Sequence, residues 1–599
     1  MSEKSPEDLL KEIEGDTSVK RFVRWDAFLE IVKGFERIGD RDKAENARTE
    51  YAAFLLITEG DHFPGYFQPF AVFTDGSTSP PRDLLSPERL RYLEQRARDS
   101  SNPIHASRFA DVVWDFSQNI EMAHLAVDKY LECAELYKKN RWGLELAETL
   151  ARSASLSAMI SDTQRLTRVK RAILRYLDEL DSAQEYRFGI DMIDTVAESH
   201  MVLTEIELRR VIIIADRAVA YYREKHPKRD DSLGPVDGPN ENLVRLLHES
   251  KLKLAHAQTS YSTLLDAKQE SLEIARSYER EGDLAQQQSR SLPALFLYID
   301  AEKRFRDLGQ TPDFKRLRVK LGKVGLQVDT EMEREPPISV AIEVSDSQVE
   351  EYIKPIFAPT LEETLQRISE TKLFVPDVNA AESSFKPSLS SLFATVTLRD
   401  GHVTGRSVSD DQLKSKPLDD EMTVRISFMT PFISHLFAKL KREYSMNPDS
   451  LAAHFQRWGF CRSRNLSLLG KGFEHYFQED YVSALHLLVP QVEDILRNLL
   501  REANRSVTIP PDSGRRGRAA TLGSLLLDEE FRRVAGTSLI RYYRLVLDDP
   551  NGMNLRNDLA HGLMEVKTMS KSGVELILYV LLSLTRFRIE RSNSGSGLQ

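Results

Sequence analysis

The stretch Tyr481-Val482-Ser483-Ala484-Leu485-His486-Leu487-Leu488-Val489-Pro490-Gln491-Val492-Glu493-Asp494-Ile495-Leu496-Arg497-Asn498-Leu499-Leu500-Arg501-Glu502 decides the fold class. Leu487, Leu488, Val492, Ile495 and Leu499 recur at steps of three and four, the spacing of one helix face. The pattern predicts one long amphipathic helix over 481–502. Downstream, Arg505–Arg518 reads as a loop, with Pro510-Pro511 and Gly514 as breakers. Leu522–Leu547 supplies one or two further helices, broken at Gly536. Asp549-Pro550-Asn551-Gly552 is a turn, Asn554 is placed to cap a short helix, and Gly573–Arg591 is a last apolar helix. The tail Ser592–Gln599 is of low complexity and reads as disordered.

Upstream the same grammar recurs. Phe28 to Asp40 has apolar residues at helical spacing and stops at Gly39-Asp40; Ser271 to Asp283 stops at Gly282-Asp283. Helix, Gly-Asp turn, helix is the pattern of tetratricopeptide-like hairpins, although no fixed 34-residue period is present. Thr58–Asp83 is a loop rich in Gly, Pro and aromatics, followed by a helix opened by Ser86-Pro87. Lys228–Asn242 is a polar loop, and Glu333-Arg334-Glu335-Pro336-Pro337 reads as a linker. Beyond it, Ile338–Val344 alternates like a strand, and Phe393–Thr404 reads as a hairpin turning at Asp400-Gly401. Helices resume by Pro431.

The fold expected is mainly α, with irregular hairpins, a small α+β insert and a C-terminal helical bundle. The organisation expected is a helical module at 1–125, helical hairpins at 126–335, the insert and connecting helices at 338–470, and a last domain at 471–595.

The chain has 599 residues and a net charge of −10, which argues against a protein that coats nucleic acid without specificity. The charge is uneven. Residues 476–591 hold 16 Lys+Arg and 15 Asp+Glu, a net of +1, so the rest of the chain carries −11. Arg515, Arg516 and Arg518 make the loop of that region locally basic, a candidate contact for an RNA backbone. Two cysteines exclude a disulfide framework or a four-cysteine zinc site. The N-terminus has no apolar signal region, and Leu576–Leu584 is far too short to span a bilayer. A cytoplasmic protein without membrane attachment is expected.

Chemistry speaks most clearly in Asn554-Leu555-Arg556-Asn557-Asp558-Leu559-Ala560-His561-Gly562. Of 13 histidines, only His561 has an arginine five positions before it. Asn557 and His561, four apart, would share a helix face. Arg556 at the helix start can grip a phosphate with two hydrogen bonds and offset charge growing in the transition state. A neutral His561 can take the proton from a ribose 2′-OH or return one to the leaving 5′-oxygen. Asn557 can orient either group. The nucleophile is the ribose 2′-OH, so the substrate would be RNA. No metal and no cofactor are expected. One helix offers one base and no partner acid; two copies about a two-fold axis would offer both, and Gly562 would allow the close approach of a second backbone. A homodimer follows as an expectation.

The Arg-Asn-x-x-x-His-Gly string, in an α-helical domain, resembles the HEPN superfamily, in particular a poorly characterised branch that includes the ER membrane-associated RNA degradation protein of animals. Ala484–Glu493 with Arg497 is similar to that branch's first core helix. Ser86–Trp114 resembles, more weakly, a helical N-terminal region joined to such domains in bacteria. The resemblance spans about 125 residues, 471–595, and implies a HEPN-like bundle and a metal-independent endoribonuclease acting as a dimer, often in toxin or antiphage roles. It implies Arg556 and His561 as the catalytic pair, Asn557 as the polar residue between them, and Glu493 and Arg497 in support. The N-terminal helices would then bind a protein partner or restrain the nuclease. Some members are non-catalytic, so the competing expectation is a helical scaffold or sensor whose C-terminal domain dimerises or binds a nucleotide or RNA. The transmembrane segments of the animal relative are absent from this chain.

Overall fold

A computed structural model of the chain describes residues 4–17, 24–58, 66–73, 76–81, 85–224, 239–334, 344–384, 395–399, 402–407, 410–509, 518–592 and 595–598. They are mainly helical, and their strands occur only as two-stranded antiparallel pairs. The chain divides into two compact units, Met1–Leu321 and Gly322–Gln599.

The N-terminal unit begins with α1 (Pro6–Gly15), α2 (Arg24–Arg37) and α3 (Arg41–Leu55). Two short strand pairs follow, β1 (Ile57–Thr58) with β2 (Phe67–Gln68) and β3 (Ala71–Val72) with β4 (Thr78–Ser79). The aromatic loop expected at 58–83 therefore carries a small β insert. Next come α4 (Pro87–Asp99), α5 (Pro103–Ser117), α6 (Ile120–Lys139), α7 (Gly143–Met159), α8 (Thr163–Ala183), α9 (Gly189–Glu198) and α10 (Glu205–Glu224). The unit continues through α11 (Glu241–Ala257), α12 (Ala267–Gln287) and α13 (Ser291–Asp307) into the first part of α14 (Thr311–Arg334). Consecutive helices pack as hairpins: α2 on α3, α5 on α6, α11 on α12, α12 on α13.

Local chemistry sets several of these boundaries. Ser86 accepts a hydrogen bond from the Arg89 backbone N–H, and Pro87 opens α4, where its missing N–H costs nothing. Gly39 has a φ of +79° and Asp40 caps α3, so the first Gly-Asp turn is real. The second is not. α12 runs unbroken through Gly282 to Gln287. A Cβ at Gly282 would lie 2.6 Å from the ring of Tyr298 on α13, so the glycine serves close helix packing and not a turn.

The C-terminal unit contains the end of α14 and then α15 (Asp346–Ile353), α16 (Leu361–Glu370) and α17 (Val378–Ser384). The predicted hairpin is present as β5 (Thr395–Arg399) and β6 (His402–Ser407); its turn at 400–401 lies outside the described residues, as do all but Val344 of the strand expected at 338–344. α18 (Asp410–Tyr444) begins well before Pro431, which lies inside it. Then follow α19 (Pro448–Trp458), α20 (Ser463–Phe477) and α21 (Tyr481–Glu502), the last with the bounds its sequence predicts. β7 (Thr508–Ile509) pairs with β8 (Arg518–Ala519). α22 (Leu522–Leu526), α23 (Glu529–Leu547), α24 (Leu555–Ala560) and α25 (Lys571–Leu584) complete the helices. α23 is interrupted at Gly536, with φ of 77° and ψ of 161°, as expected. β9 (Ile589–Ser592) pairs with β10 (Gly595–Leu598), so backbone pairing reaches into the tail expected to be disordered.

α25 is the innermost element, with every residue from Val574 to Leu584 buried. A helix apolar on all sides must be surrounded, and α16, α18 and α21 pack against it. One apolar core runs from Val349 to Phe587, so the helices of 344–470 share it with those of 471–595. Tyr542 and Tyr543 fill that core, fully buried.

Candidate functional site

The site forms where α24 meets α21. The Asp549–Gly552 turn folds back against the end of α23. Met553 and Asn554 N–H both donate to the Leu545 carbonyl, at 2.7 and 3.3 Å. A Cβ at Gly552 would come within 2.1 Å of that carbonyl oxygen, so only glycine allows the approach. Asn554 sits at the N-cap position in left-handed backbone, φ 51°, but makes no capping bond. Its side chain instead donates to Asp558 and accepts from Asn557.

α24 is only six residues long, so the motif spans the whole helix. Arg556 and Asn557 lie in its first turn and His561 is its C-cap. Gly562 N–H donates to Leu559 and Leu563 N–H to Asp558, the paired bonds of a helix ending in a left-handed residue. Gly562 has a φ of +69° and nothing within 4 Å of a built Cβ. The left-handed backbone is reason enough for this glycine without a second chain.

Glu493 and Arg497 lie four apart on one side of α21, opposite buried Leu488 and Ile495. Arg556 Nε and Nη2 both donate to Glu493 Oε2, at 3.1 and 2.8 Å. The other oxygen, Oε1, accepts from Arg497 Nη2. Arg556 Nη1 donates to Asn557 Oδ1 at 2.9 Å. The Asn557 amide nitrogen donates to the Asp548 carbonyl and to Asn554 Oδ1, at 3.0 and 2.9 Å. Asn557 therefore orients Arg556 and anchors it to the turn. Among the described residues the imidazole of His561 has no hydrogen-bond or ion-pair partner, and it is exposed.

Of the basic loop, Arg518 is exposed on β8, two residues before Ala520, whose carbonyl accepts from Arg497 at 3.1 Å. Arg515 and Arg516 lie outside the described residues.

Two parts of the cluster escaped the sequence reading. Asp548, which the sequence analysis did not single out, is half-buried beside Asn557 and Arg556. Burial raises its carboxyl above the usual range, against the hydrogen bond from Asn557 and the charges of Arg556 and Arg544. Gly523 leaves room for it: a Cβ there would lie 2.4 Å from Oδ2. The only sequence signal was an acidic pair before a Pro-Asn-Gly turn. The second part is on α20, where Arg464 and Asn465 both donate to Asp494. Burial pushes that carboxyl up, but these bonds outweigh it and hold it low.

Among the described residues no group of three or more His, Cys, Asp or Glu could hold a metal ion, and no helix is long and apolar enough to cross a membrane. Residues 8–169 match a domain family of unknown function, DUF7380. No curated protein matches the chain. A solved structure, a circular tandem repeat protein with novel repeat topology and enhanced subunit contact surfaces, aligns over 94% of this chain and 96% of its own, at 14% identity and a TM-score of 0.18. That likeness bears on neither fold nor function.

Proposed function

We infer that the chain is a metal-independent endoribonuclease whose active site is built on α24, in keeping with the HEPN resemblance of its motif. One observation carries the reading. Glu493 and Asn557 together fix the Arg556 guanidinium by three bonds, while His561, five residues on, keeps an exposed imidazole with no partner among the described residues. Three of the five guanidinium N–H groups are used, which leaves two for a phosphate oxygen.

In the proposed reaction His561 takes the proton of a ribose 2′-OH. The 2′-oxygen bonds to phosphorus, the bond from phosphorus to the 5′-oxygen breaks, and the departing oxygen is protonated. The products are a 2′,3′-cyclic phosphate and a 5′-OH. Arg556 offsets the charge that accumulates on the phosphoryl oxygens. A second copy of the chain would supply the second proton-transfer group, so a cytoplasmic homodimer is part of the proposal. Arg518, with Arg515 and Arg516, would hold the RNA backbone. The N-terminal unit would bind a protein partner.

A second reading has its own observation. Two of those bonds tie α24 to α21, so the network also suits a structural clasp in a scaffold or RNA-binding module. The test is incubation of wild type and His561→Ala with total RNA and tRNA in EDTA. Cleavage by wild type alone, with 2′,3′-cyclic ends, is expected, and the variant should lose about 10²- to 10⁴-fold in rate. Equal cleavage by both removes His561 from the assignment. Cleavage by neither favours the clasp.

A further inference from the structure

We propose that Arg497 and Arg556 form a two-arginine phosphate clamp, and that Glu493 is an internal anion holding the phosphate's place until a substrate displaces it. This inference rests on Arg556 being the phosphate-binding residue, and adds a second binding arginine and a built-in competitor.

The geometry is that of an anion site already filled. Two guanidinium groups, one from α21 and one from α24, 59 positions apart in sequence, converge on one carboxylate and take one oxygen each. A phosphodiester presents its two non-bridging oxygens in the same forked manner, and arginine forks suit both acids. The cluster is reachable: the side chains of Arg556, Arg497 and Glu493 are 26, 15 and 16% exposed.

A neighbouring group prepares Arg497 for the exchange. It also donates to Asp494 Oδ1 at 3.3 Å and to the Ala520 carbonyl, so it stays positioned when Glu493 leaves. Asn557 does the same for Arg556. Glu493 holds both arginines and neutralises their charge. While the carboxylate remains, an incoming phosphate meets a like charge at bonding distance, and binding must include its displacement. Glutamine at 493 keeps the shape and one acceptor but removes that charge.

The experiment measures binding of inorganic phosphate and of an all-2′-deoxy oligonucleotide, which lacks the attacking hydroxyl, to full-length wild type, Glu493→Gln and Glu493→Gln/Arg497→Lys. Glu493→Gln should bind both probes about tenfold more tightly than wild type, and the added Arg497→Lys should remove the gain. Unchanged or weaker binding by Glu493→Gln, or a gain that survives Arg497→Lys, overturns the clamp. Should Glu493→Gln fail to fold, Arg497→Lys alone decides: oligonucleotide affinity should fall about tenfold with the melting temperature retained, and unchanged affinity overturns the proposal. RNA cleavage by wild type and His561→Ala is assayed in parallel. Cleavage without the expected binding changes sinks the clamp and leaves the nuclease; the binding changes without cleavage do the reverse.

Discussion

In the N-terminal unit, charges lie inside the helical stack. Asp111 is fully buried and takes Arg152 Nε and Nη2 at 2.8 Å each, with the Tyr130 hydroxyl on the same carboxylate. Glu50 is bound by Arg96 and Tyr92, and Glu270 by His248 and Lys251. In the C-terminal unit the innermost helix, α25, buries eleven successive residues of which Glu575 is the only carboxylic acid. The ionic cluster around Glu493 and Arg556 is partly exposed instead. The difference teaches where each unit keeps its options. Buried ion pairs contribute little net stability, but leaving one partner buried alone is costly, a cost that mispaired helices in a stack of similar hairpins would bear. An apolar core tolerates a polar cluster at its rim, where a ligand can reach it.

The comparison can be broken most directly at Arg152. Replacing it with Met leaves Asp111 buried without its cation and should cost about 3–5 kcal/mol. In a urea titration the double variant Asp111→Asn/Arg152→Met should recover most of the loss. If it does not, the pair supplies stability outright and the specificity argument fails.

A smaller effect is expected at the helix contact. Gly282→Val drives a side chain against the Tyr298 ring and should cost about 1–3 kcal/mol by overpacking. A neutral result, read as an unchanged melting temperature, would mean the α12–α13 pair is loose. Gly562→Ala should cost only about 1 kcal/mol, since it forces an alanine into left-handed backbone. A larger loss, accompanied by loss of a dimer in sedimentation, would favour a close backbone partner.

Two acids test the contrast by pH, with the smallest changes. Burial raises Glu270, but the bonds from His248 and Lys251 outweigh it and hold its carboxyl below the usual range. Its stabilising contribution is therefore present above the unfolded value near 4.5 and is lost as pH falls through the lower folded value. Glu575 is pushed up by burial, against hydrogen bonds from Ser434 and Tyr476. Its contribution runs the other way, favouring the fold below the unfolded value and fading as pH rises through the folded one. At pH 7 Glu270→Gln should melt lower than wild type and Glu575→Gln higher, with both differences shrinking in acid. The same sign for both variants would contradict the contrast.

Much of the architecture was legible. The bounds of α21 follow from leucines at three- and four-residue steps, the break in α23 from Gly536, and the opening of α4 from Ser86-Pro87. The site was legible as a segment: Arg556, Asn557 and His561 do share α24 and its cap. Their partners were harder to see. Asp548 lies beside a turn that closes on Leu545 through Gly552, and an acidic pair before a turn has no periodicity to mark it.

Two Gly-Asp pairs divide what sequence determined from what it did not. At Gly39-Asp40 the local chemistry suffices, because a left-handed glycine and a capping aspartate end one helix and start the next whatever surrounds them. At Gly282-Asp283 the same letters stay helical, and the glycine leaves the space that the facing Tyr298 ring occupies. Sequence by itself determined the helical class, several helix ends and the chemical kit of α24, since these depend on bonds between residues a few positions apart. Only the tertiary structure decided that Glu493 meets Arg556 across 63 positions, and that His561 has no partner among the described residues. Such meetings depend on how whole helices pack around α25, which no short stretch of chain records.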